Sequence, residues 1–312
     1  MARRVAIIGL DGADWRLIKP WIHSGELPTL ARLVSEGVSG RLQSTIRPES
    51  SVAWSSFSTG VNPGKHGIYG FVERKTTESY AYKLASGSSI RSQRFWDILG
   101  DQGRTVGLLN VPFTYPPSRV NGWLVTGMLT PGLDATFAHK QKHQQRFHDG
   151  FDNILFDVDA STERRDELVT STQTYTYQQR DMARFLLKEQ AWELFAMVFT
   201  GPDRLQHFLW ADMDERHPFH DPQAHTSLRD AILHHYRTLD AALADLLDCL
   251  PADTLVLLMS DHGFNGCARR FHVNQWLRDE GLLTLSRFGG YGRGRASLAS
   301  KLGSVEWLRR LK

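Results

Sequence analysis

The stretch VAIIGLD, residues 5–11, is an unbroken apolar run that ends in an acid. Such a run, rich in β-branched residues, is typical of a strand buried on both faces of a parallel sheet. LFAMVFT at residues 194–200 and TLVLLM at 254–259 repeat the pattern, and shorter candidates lie at 104–110 and 123–126. Helical patterns separate these runs, which indicates α/β architecture. We therefore predict a mostly parallel sheet with helices on both faces.

Several further segments define the expected organisation of the chain. Residues 40–45 are an additional strand candidate. Residues 130–189 are polar and interrupt the alternation of strands and helices, so we interpret them as an insertion or cap on a catalytic domain formed by residues 1–129 and 190–285. The Gly/Arg-rich residues 286–312 read as a basic tail, and we expect them to be the start of a truncated region.

Composition excludes several classes of protein. Hydrophobic residues make up 41% of the 312 residues and charged residues 23%, which is an ordinary globular balance. Residues 286–312 hold seven Lys/Arg and one acid, so the overall charge of +3 leaves about −3 on the remainder, and we expect no specific nucleic-acid binding. Cys249 and Cys267 form no disulfide framework or C-x-x-C pair. No apolar run approaches the roughly 18–20 residues of a membrane span, so we expect a cytoplasmic protein.

Three acids follow the three longest apolar runs: Asp11, Asp203 and Asp261. The carboxyl ends of parallel strands form the ligand-binding edge of an open sheet, so these side chains should converge there. Their mutual repulsion calls for a cation, and a divalent metal is the usual one. His262 adjoins Asp261, and His207 lies four residues after Asp203, on the same face of the predicted helix. Asp and His ligands without cysteine suit zinc, manganese or iron.

A simpler interpretation exists for each of these residues alone. An aspartate at the end of a strand is often the N-cap of the next helix. A single histidine such as His207, taken alone, is more often a surface or core residue than a metal ligand. The combination of D-x-x-x-H, SDHG and an aspartate after the first strand favours the metal site.

Ser50 is the candidate nucleophile. It follows Pro48 and Glu49 and lies where the helix around Ser51 begins. Free backbone N–H groups at a helix start bind phosphate and stabilise an oxyanion, and a hydroxyl there can attack phosphorus. The alternative is that Ser50 is only the helix N-cap.

Three cations are candidates for offsetting charge on the non-bridging oxygens of a phosphoryl group: Arg47, Lys65 and Arg204. Each is equally interpretable as a solvated surface residue.

Four motifs, IGLDGADW, AWSSFSTGVNPGKHGI, GPDRLQH and SDHGF, occur in this order. With them the chain resembles the type I phosphodiesterase/nucleotide pyrophosphatase family of the alkaline phosphatase superfamily. The resemblance covers roughly residues 4–75 and 190–285. It implies an alkaline-phosphatase-like fold and metal-dependent hydrolysis of a small phosphorylated substrate through a phosphoseryl intermediate.

The resemblance also implies two metal ions, usually zinc, with manganese as the alternative. One ion would be held by Asp11, Ser50, Asp261 and His262, and the other by Asp203 and His207.

Two departures from the family pattern matter for function. Phe71 stands where nucleotide pyrophosphatases have an Asn that contacts the phosphoryl group, which leaves nucleotide specificity open. The family's second metal site takes a further histidine from downstream, whereas the last histidine here is His272. Either the chain is truncated or His272 substitutes. An alternative function is therefore a catalytically impaired or regulatory binding domain of the same fold; a sulfatase is disfavoured because no C-x-P-x-R is present.

Overall fold

A computed structural model describes residues 4–76, 81–151, 154–158 and 164–284. Its strands are β1 Val5–Leu10, β2 Val72–Arg74, β3 Tyr82–Leu84, β4 Val106–Leu109, β5 Gly122–Val125, β6 Leu194–Phe199 and β7 Leu255–Met259. Its helices are α1 Trp15–His23, α2 Pro28–Glu36, α3 Ser50–Thr59, α4 Pro63–His66, α5 Phe95–Asp101, α6 Gln141–Gly150, α7 Arg165–Glu189, α8 Gly201–Met213, α9 Thr226–Arg229, α10 Ala231–Leu247 and α11 Val273–Asp279. The predicted tail at 286–312 lies outside the described residues.

The central sheet has five strands in the order β5-β4-β6-β1-β7, and every neighbouring pair is parallel. Strands β2 and β3 form a separate antiparallel pair. Four of the five central strands lie within the predicted apolar runs, and β5 begins one residue before the run predicted at 123–126, so the α/β prediction is confirmed. The additional strand predicted at residues 40–45 is wrong. That segment has no regular structure, and residues 40–43 are exposed, because no neighbouring strand gives their alternating side chains a surface to pack on.

Helices cover both faces of the sheet, as predicted. The side chains of β1 alternate: Ala6 and Ile8 enter a large apolar cluster with residues of α7, α8 and α10. Ile7 points to the other face, where it packs in a second cluster with Trp54 of α3 and Trp96 of α5. The strand is thus buried on both sides, which explains why its sequence is continuously apolar.

The predicted insertion at residues 130–189 contains α6 and α7. Helix α7 packs against α8 and α10, and its Tyr175 and Met182 belong to the same apolar cluster as Phe195 of β6. The second half of the segment therefore contributes to the main core, and the division of the chain at residues 130 and 189 stays a prediction. No helix in the described part of the chain is both long and apolar enough to cross a membrane.

Candidate active site

The site forms where three neighbouring strands end. Strand β1 lies between β6 and β7, so the segments that follow these three strands meet at one edge of the sheet. Asp11 directly follows β1, Asp203 lies in the first turn of α8 after β6, and Asp261 follows β7. All three side chains are buried. None of them caps a helix: Asp14 is the N-cap of α1, and its carboxylate accepts the Arg16 N–H.

Ser50 is held at the first residue of α3, facing this cluster. The N-cap is Glu49, so the alternative in which Ser50 only caps the helix is wrong. Its hydroxyl donates a hydrogen bond to Asp11 Oδ1 at 3.1 Å, and its Oγ lies 3.1 Å from His262 Nε2. The Val52 and Ala53 N–H groups donate to the Glu49 carbonyl, so the N–H groups of Ser50 and Ser51 are the donors at this helix start without a partner inside the helix. A buried serine between a carboxylate, an imidazole and a helix start is well placed to act on an anionic substrate.

Asp11 is fixed from two sides. Its Oδ1 accepts from Ser50, and its Oδ2 accepts from the Trp54 indole N–H at 2.9 Å. Trp54 lies one helical turn after Ser50, so the same face of α3 supplies both donors. Burial, reinforced by the neighbouring Asp203 carboxylate, raises the pKa of Asp11 to about 6.

The glycine after Asp11 links the other two strand ends. The Gly12 N–H donates to Asp261 Oδ1 at 3.2 Å, and the Gly12 carbonyl accepts from the Gln206 side chain at 2.9 Å. Gly12 has φ of +68°, which favours glycine, and a Cβ at this position would lie 3.1 Å from the Asp203 backbone. A residue without a side chain is therefore required here for the three segments to approach one another.

Asp203 and His207 form the more accessible half of the site. His207 Nε2 lies 3.3 Å from Asp203 Oδ1, and the His207 ring packs edge-on against Phe264 with 4.7 Å between centroids. The imidazole is one-third exposed, whereas Asp203 is buried. Burial opposes ionisation of Asp203, but His207 and Arg204 outweigh it and lower the pKa of this carboxyl.

His262 lies among all three carboxylates. Its Nε2 is 3.6 Å from Asp11 Oδ1, 3.5 Å from Asp261 Oδ2 and 4.0 Å from Asp203 Oδ1. Its Nδ1 lies 2.9 Å from the Gly263 carbonyl, which can only accept, so Nδ1 carries a hydrogen. When Nε2 is deprotonated, its lone pair points into the cluster. Burial opposes protonation of His262, yet the three carboxylates outweigh it and raise the pKa to about 9.

These residues fit a divalent cation. Asp11, Asp203 and His262 are buried, and each offers one ligand atom, all within 4.8 Å of one another. Asp261 Oδ2 is buried and accepts no hydrogen bond from the described residues, and burial together with the Asp11 carboxylate raises the pKa of Asp261 well above its usual range. Carboxylate oxygens and an imidazole nitrogen are ligands that bind such an ion. Here two of the carboxylate oxygens, Asp203 Oδ1 and Asp261 Oδ2, are buried without a hydrogen-bond donor among the described residues.

The family model described as type I phosphodiesterase / nucleotide pyrophosphatase matches residues 5–306. The chain belongs to this family. No curated protein sequence matches it.

Solved structures of the alkaline phosphatase superfamily share the fold. Phosphonoacetate hydrolase from Sinorhizobium meliloti 1021, in complex with phosphonoformate, superposes with a TM-score of 0.57 at 18% identity, over 89% of this chain and 62% of that protein. Its complex with phosphonoacetate gives 0.60 at 17% identity, over 96% and 73%. A putative sulfatase from Bacteroides thetaiotaomicron VPI-5482 gives 0.51 at 12% identity, over 84% and 59%. The chain thus spans between about three-fifths and three-quarters of the length of these proteins.

The remaining candidates supply no ligand atom to the cluster of Asp11, Asp203 and His262, although Arg204 adjoins Asp203. His272 is exposed just before α11 and is not in the group of described residues that could hold a metal, and Lys65 is exposed on α4. Arg47 is 68% exposed and pairs with Glu49 at 3.0 Å. Arg204 is 1% exposed and donates to both carboxylate oxygens of Asp157, so its guanidinium is not an open phosphate ligand.

Phe71 is buried, with its ring 5.8 Å from that of Phe113. Its N–H donates to Glu49 Oε1 at 3.1 Å, so the backbone is tied to the residue before Ser50 while the side chain packs in an apolar cluster. The position has no side-chain polar group.

Roles for Trp54, Gly12 and Asp157 were not among the predictions. The position of Trp54, four residues after Ser50 on the same predicted helix, could have indicated that it faces the same site. Gly12 carries a weaker one, as a glycine directly after a strand-terminal acid. Nothing in the sequence around Asp157 indicates that it meets Arg204, 47 residues away.

Proposed function

We propose that this protein hydrolyses phosphate esters with divalent metal ions, through a phosphoseryl intermediate on Ser50. The observation that carries the proposal is the position of the Ser50 hydroxyl, 3.1 Å from both Asp11 Oδ1 and His262 Nε2 at the start of α3. Membership of the phosphodiesterase family supports the same class of reaction.

The proposed reaction has two displacements. In the first, the Ser50 Oγ–phosphorus bond forms, the bond from phosphorus to the leaving oxygen breaks, and the hydroxyl proton leaves toward Asp11 Oδ1, its hydrogen-bond acceptor. N–H groups at the start of α3 stabilise the phosphoryl oxygens. In the second, the bond from a water oxygen to phosphorus forms and the Ser50 Oγ–phosphorus bond breaks; Asp11 returns its proton to Ser50 Oγ, and the proton lost by the water passes to solvent.

Two ions are proposed, zinc first and manganese second. Asp11, Ser50, Asp261 and His262 would hold one, and Asp203 and His207 the other. Bound metal supplies positive charge to the attacking, leaving and non-bridging oxygens of such a displacement. Because the second set has two protein ligands among the described residues, against the usual three of catalytic zinc, we expect one tight and one weaker binding event.

The proposed substrate is a small phosphorylated molecule. The Phe71 side chain has no amide group that could contact a phosphoryl group. This argues against the Asn–phosphoryl contact that the resemblance implies for nucleotide pyrophosphatases. The proposed location is the cytoplasm, since both cysteines are free thiols. An aryl phosphomonoester, an aryl phosphodiester and a phosphonate, compared under identical metal loading, will determine the preferred ester class.

The decisive experiment replaces the nucleophile. Ser50→Ala should remove turnover of an aryl phosphodiester while the protein stays folded. Ser58→Ala is the matched control, because Ser58 is buried on the same helix and, within the described part of the chain, its hydroxyl donates to the Ser55 carbonyl alone. Acid-quenched wild-type protein should carry one added phosphoryl group on the peptide containing Ser50.

Retention of most activity by Ser50→Ala would refute the serine mechanism. Metal binding and phosphate-ester binding without turnover or labelling would instead identify a binding domain.

A further inference from the structure

A buried arginine adjoins the metal-ligand candidate Asp203. Arg204 Nη1 lies 3.9 Å from Asp203 Oδ2, while Asp203 Oδ1 faces His207 Nε2 at 3.3 Å. The two oxygens of this carboxylate therefore meet different partners, and the guanidinium lies on the side away from His207. An orientation of this kind presents Oδ1 to the candidate metal site.

The guanidinium is itself held by one acid from a distant segment. Arg204 Nε donates to Asp157 Oδ1 at 2.8 Å and Nη2 donates to Asp157 Oδ2 at 2.5 Å, in the bidentate geometry that fixes both groups. Arg204 is 1% exposed and Asp157 12% exposed. The acid also neutralises the arginine, so the pair orients Asp203 without adding a positive charge that would repel a cation.

Asp157 is in turn anchored by the short segment 154–158. The Tyr175 hydroxyl donates to the Phe156 carbonyl at 2.8 Å, and the Leu155 N–H donates to the Gln178 side chain at 2.8 Å. Ile154, Phe156 and Val158 are buried in the main apolar cluster. The contacts of Leu155 and Phe156 with α7, together with the burial of Val158 in the same cluster, thus set the position of Asp157 relative to α8.

We infer that Asp157 and Arg204 are positioning residues for the Asp203 carboxylate, and that segment 154–158 thereby sets the divalent-metal affinity of the Asp203/His207 half of the site. The inference rests on the proposed metal dependence. Arg204 contacts Asp203 as an ion pair at 3.9 Å. Outer-shell partners of metal ligands orient them, and the loss of such a partner typically weakens metal affinity by about 10–100-fold.

The test measures Zn²⁺ and Mn²⁺ affinity of the metal-free full chain by competition with a chromophoric chelator, together with the absorption spectrum of the Co²⁺-loaded protein. Asp157→Asn should weaken the lower-affinity binding event by about 10–100-fold. It should also change the Co²⁺ bands. Asp157→Asn removes the charge that neutralises the buried Arg204, so the double variant Asp157→Leu/Arg204→Met is measured as well. It removes both charges and should show the same loss of affinity while remaining folded.

Two control variants separate orientation from general destabilisation. Glu189→Gln breaks an exposed ion pair with Arg146, and Asp212→Asn breaks the pair that joins Arg165 to a buried acid farther along α8. Both should bind metal with wild-type affinity, even where Asp212→Asn lowers stability. Wild-type affinity in Asp157→Asn and in the double variant would overturn the inference and leave the metal site standing. Failure of wild-type protein to bind any divalent ion would overturn the metal site and the inference together.

Discussion

Replacing Trp54 by Phe tests how Asp11 is held. Trp54 is fully buried, and its indole N–H donates to Asp11 Oδ2 at 2.9 Å. The substitution keeps an aromatic ring and removes the donor. Trp96→Phe is the matched control: Trp96 is 1% exposed in the same apolar cluster, and its indole N–H has no hydrogen-bond partner among the described residues.

The two variants lose the same atoms from the same cluster, so their cavity terms largely cancel. The excess loss in Trp54→Phe is the hydrogen bond to a buried carboxylate, about 1.5–3 kcal/mol. A donor of this kind stabilises the ionised form of Asp11, so its removal raises the folded pKa of Asp11 above about 6. The full excess is present above the raised pKa of the variant, and it falls to the value for a neutral pair as the pH decreases to about 6 and below. At pH 8 we expect the full excess, and at pH 5 about 0.5–1.5 kcal/mol, the range for a neutral pair.

Urea unfolding followed by circular dichroism, in buffer with a chelator so that no metal is bound, gives both free energies of unfolding at each pH. The slope with urea concentration should be the same in the two variants, so that the midpoints are comparable. Equal losses in Trp54→Phe and Trp96→Phe at pH 8, or an excess that grows toward pH 5, would refute the reasoning.

Three further outcomes are expected. His235 is buried with no partner for either ring nitrogen among the residues described, and burial lowers its pKa to about 3. Below about pH 6.5 the unfolded chain binds a proton at His235 and the folded chain does not, so the free energy of unfolding falls by about 1.4 kcal/mol per pH unit. His235→Leu should abolish this part of the pH dependence. An unchanged slope of the unfolding free energy against pH would contradict the prediction. Since the pKa of His262 is about 9 without metal, binding of Zn²⁺ at pH 7.5 should release close to one proton from this residue. Calorimetry in buffers of different ionisation enthalpy measures the release, which His262→Ala should reduce. Gly12→Ala should weaken metal binding, because the added Cβ would lie against Asp203. Gly25→Ala is the control, since Gly25 also has a positive φ but has open space around it. Equal metal affinity in the two variants would show that contact of the Cβ with Asp203 does not matter.

Local pattern predicted the five strands of the central sheet and the acids that follow three of them, whereas β2 and β3 were not predicted and the strand candidate at residues 40–45 was wrong. A strand buried on both faces has to be continuously apolar, so the runs at β1, β6 and β7 are visible without any knowledge of their partners. The acids that follow them stand out because a charge ends such a run. The start of α3 was likewise readable from Pro48 and Glu49, although its N-cap is Glu49, one residue before Ser50.

Which strand ends meet depends on how the strands pair in the folded chain. The order β6-β1-β7 brings together residues such as Gly12 and Asp261, which are 249 positions apart, and no local pattern encodes that pairing. The same holds for Arg204: a basic residue beside a site acid suggests a phosphate ligand, yet the guanidinium is buried because Asp157 satisfies it from 47 positions away. The periodicity of a sequence indicates which side chains of a segment are buried. The partner of a buried charge depends instead on how distant segments pack, and these segments come together only when the chain folds.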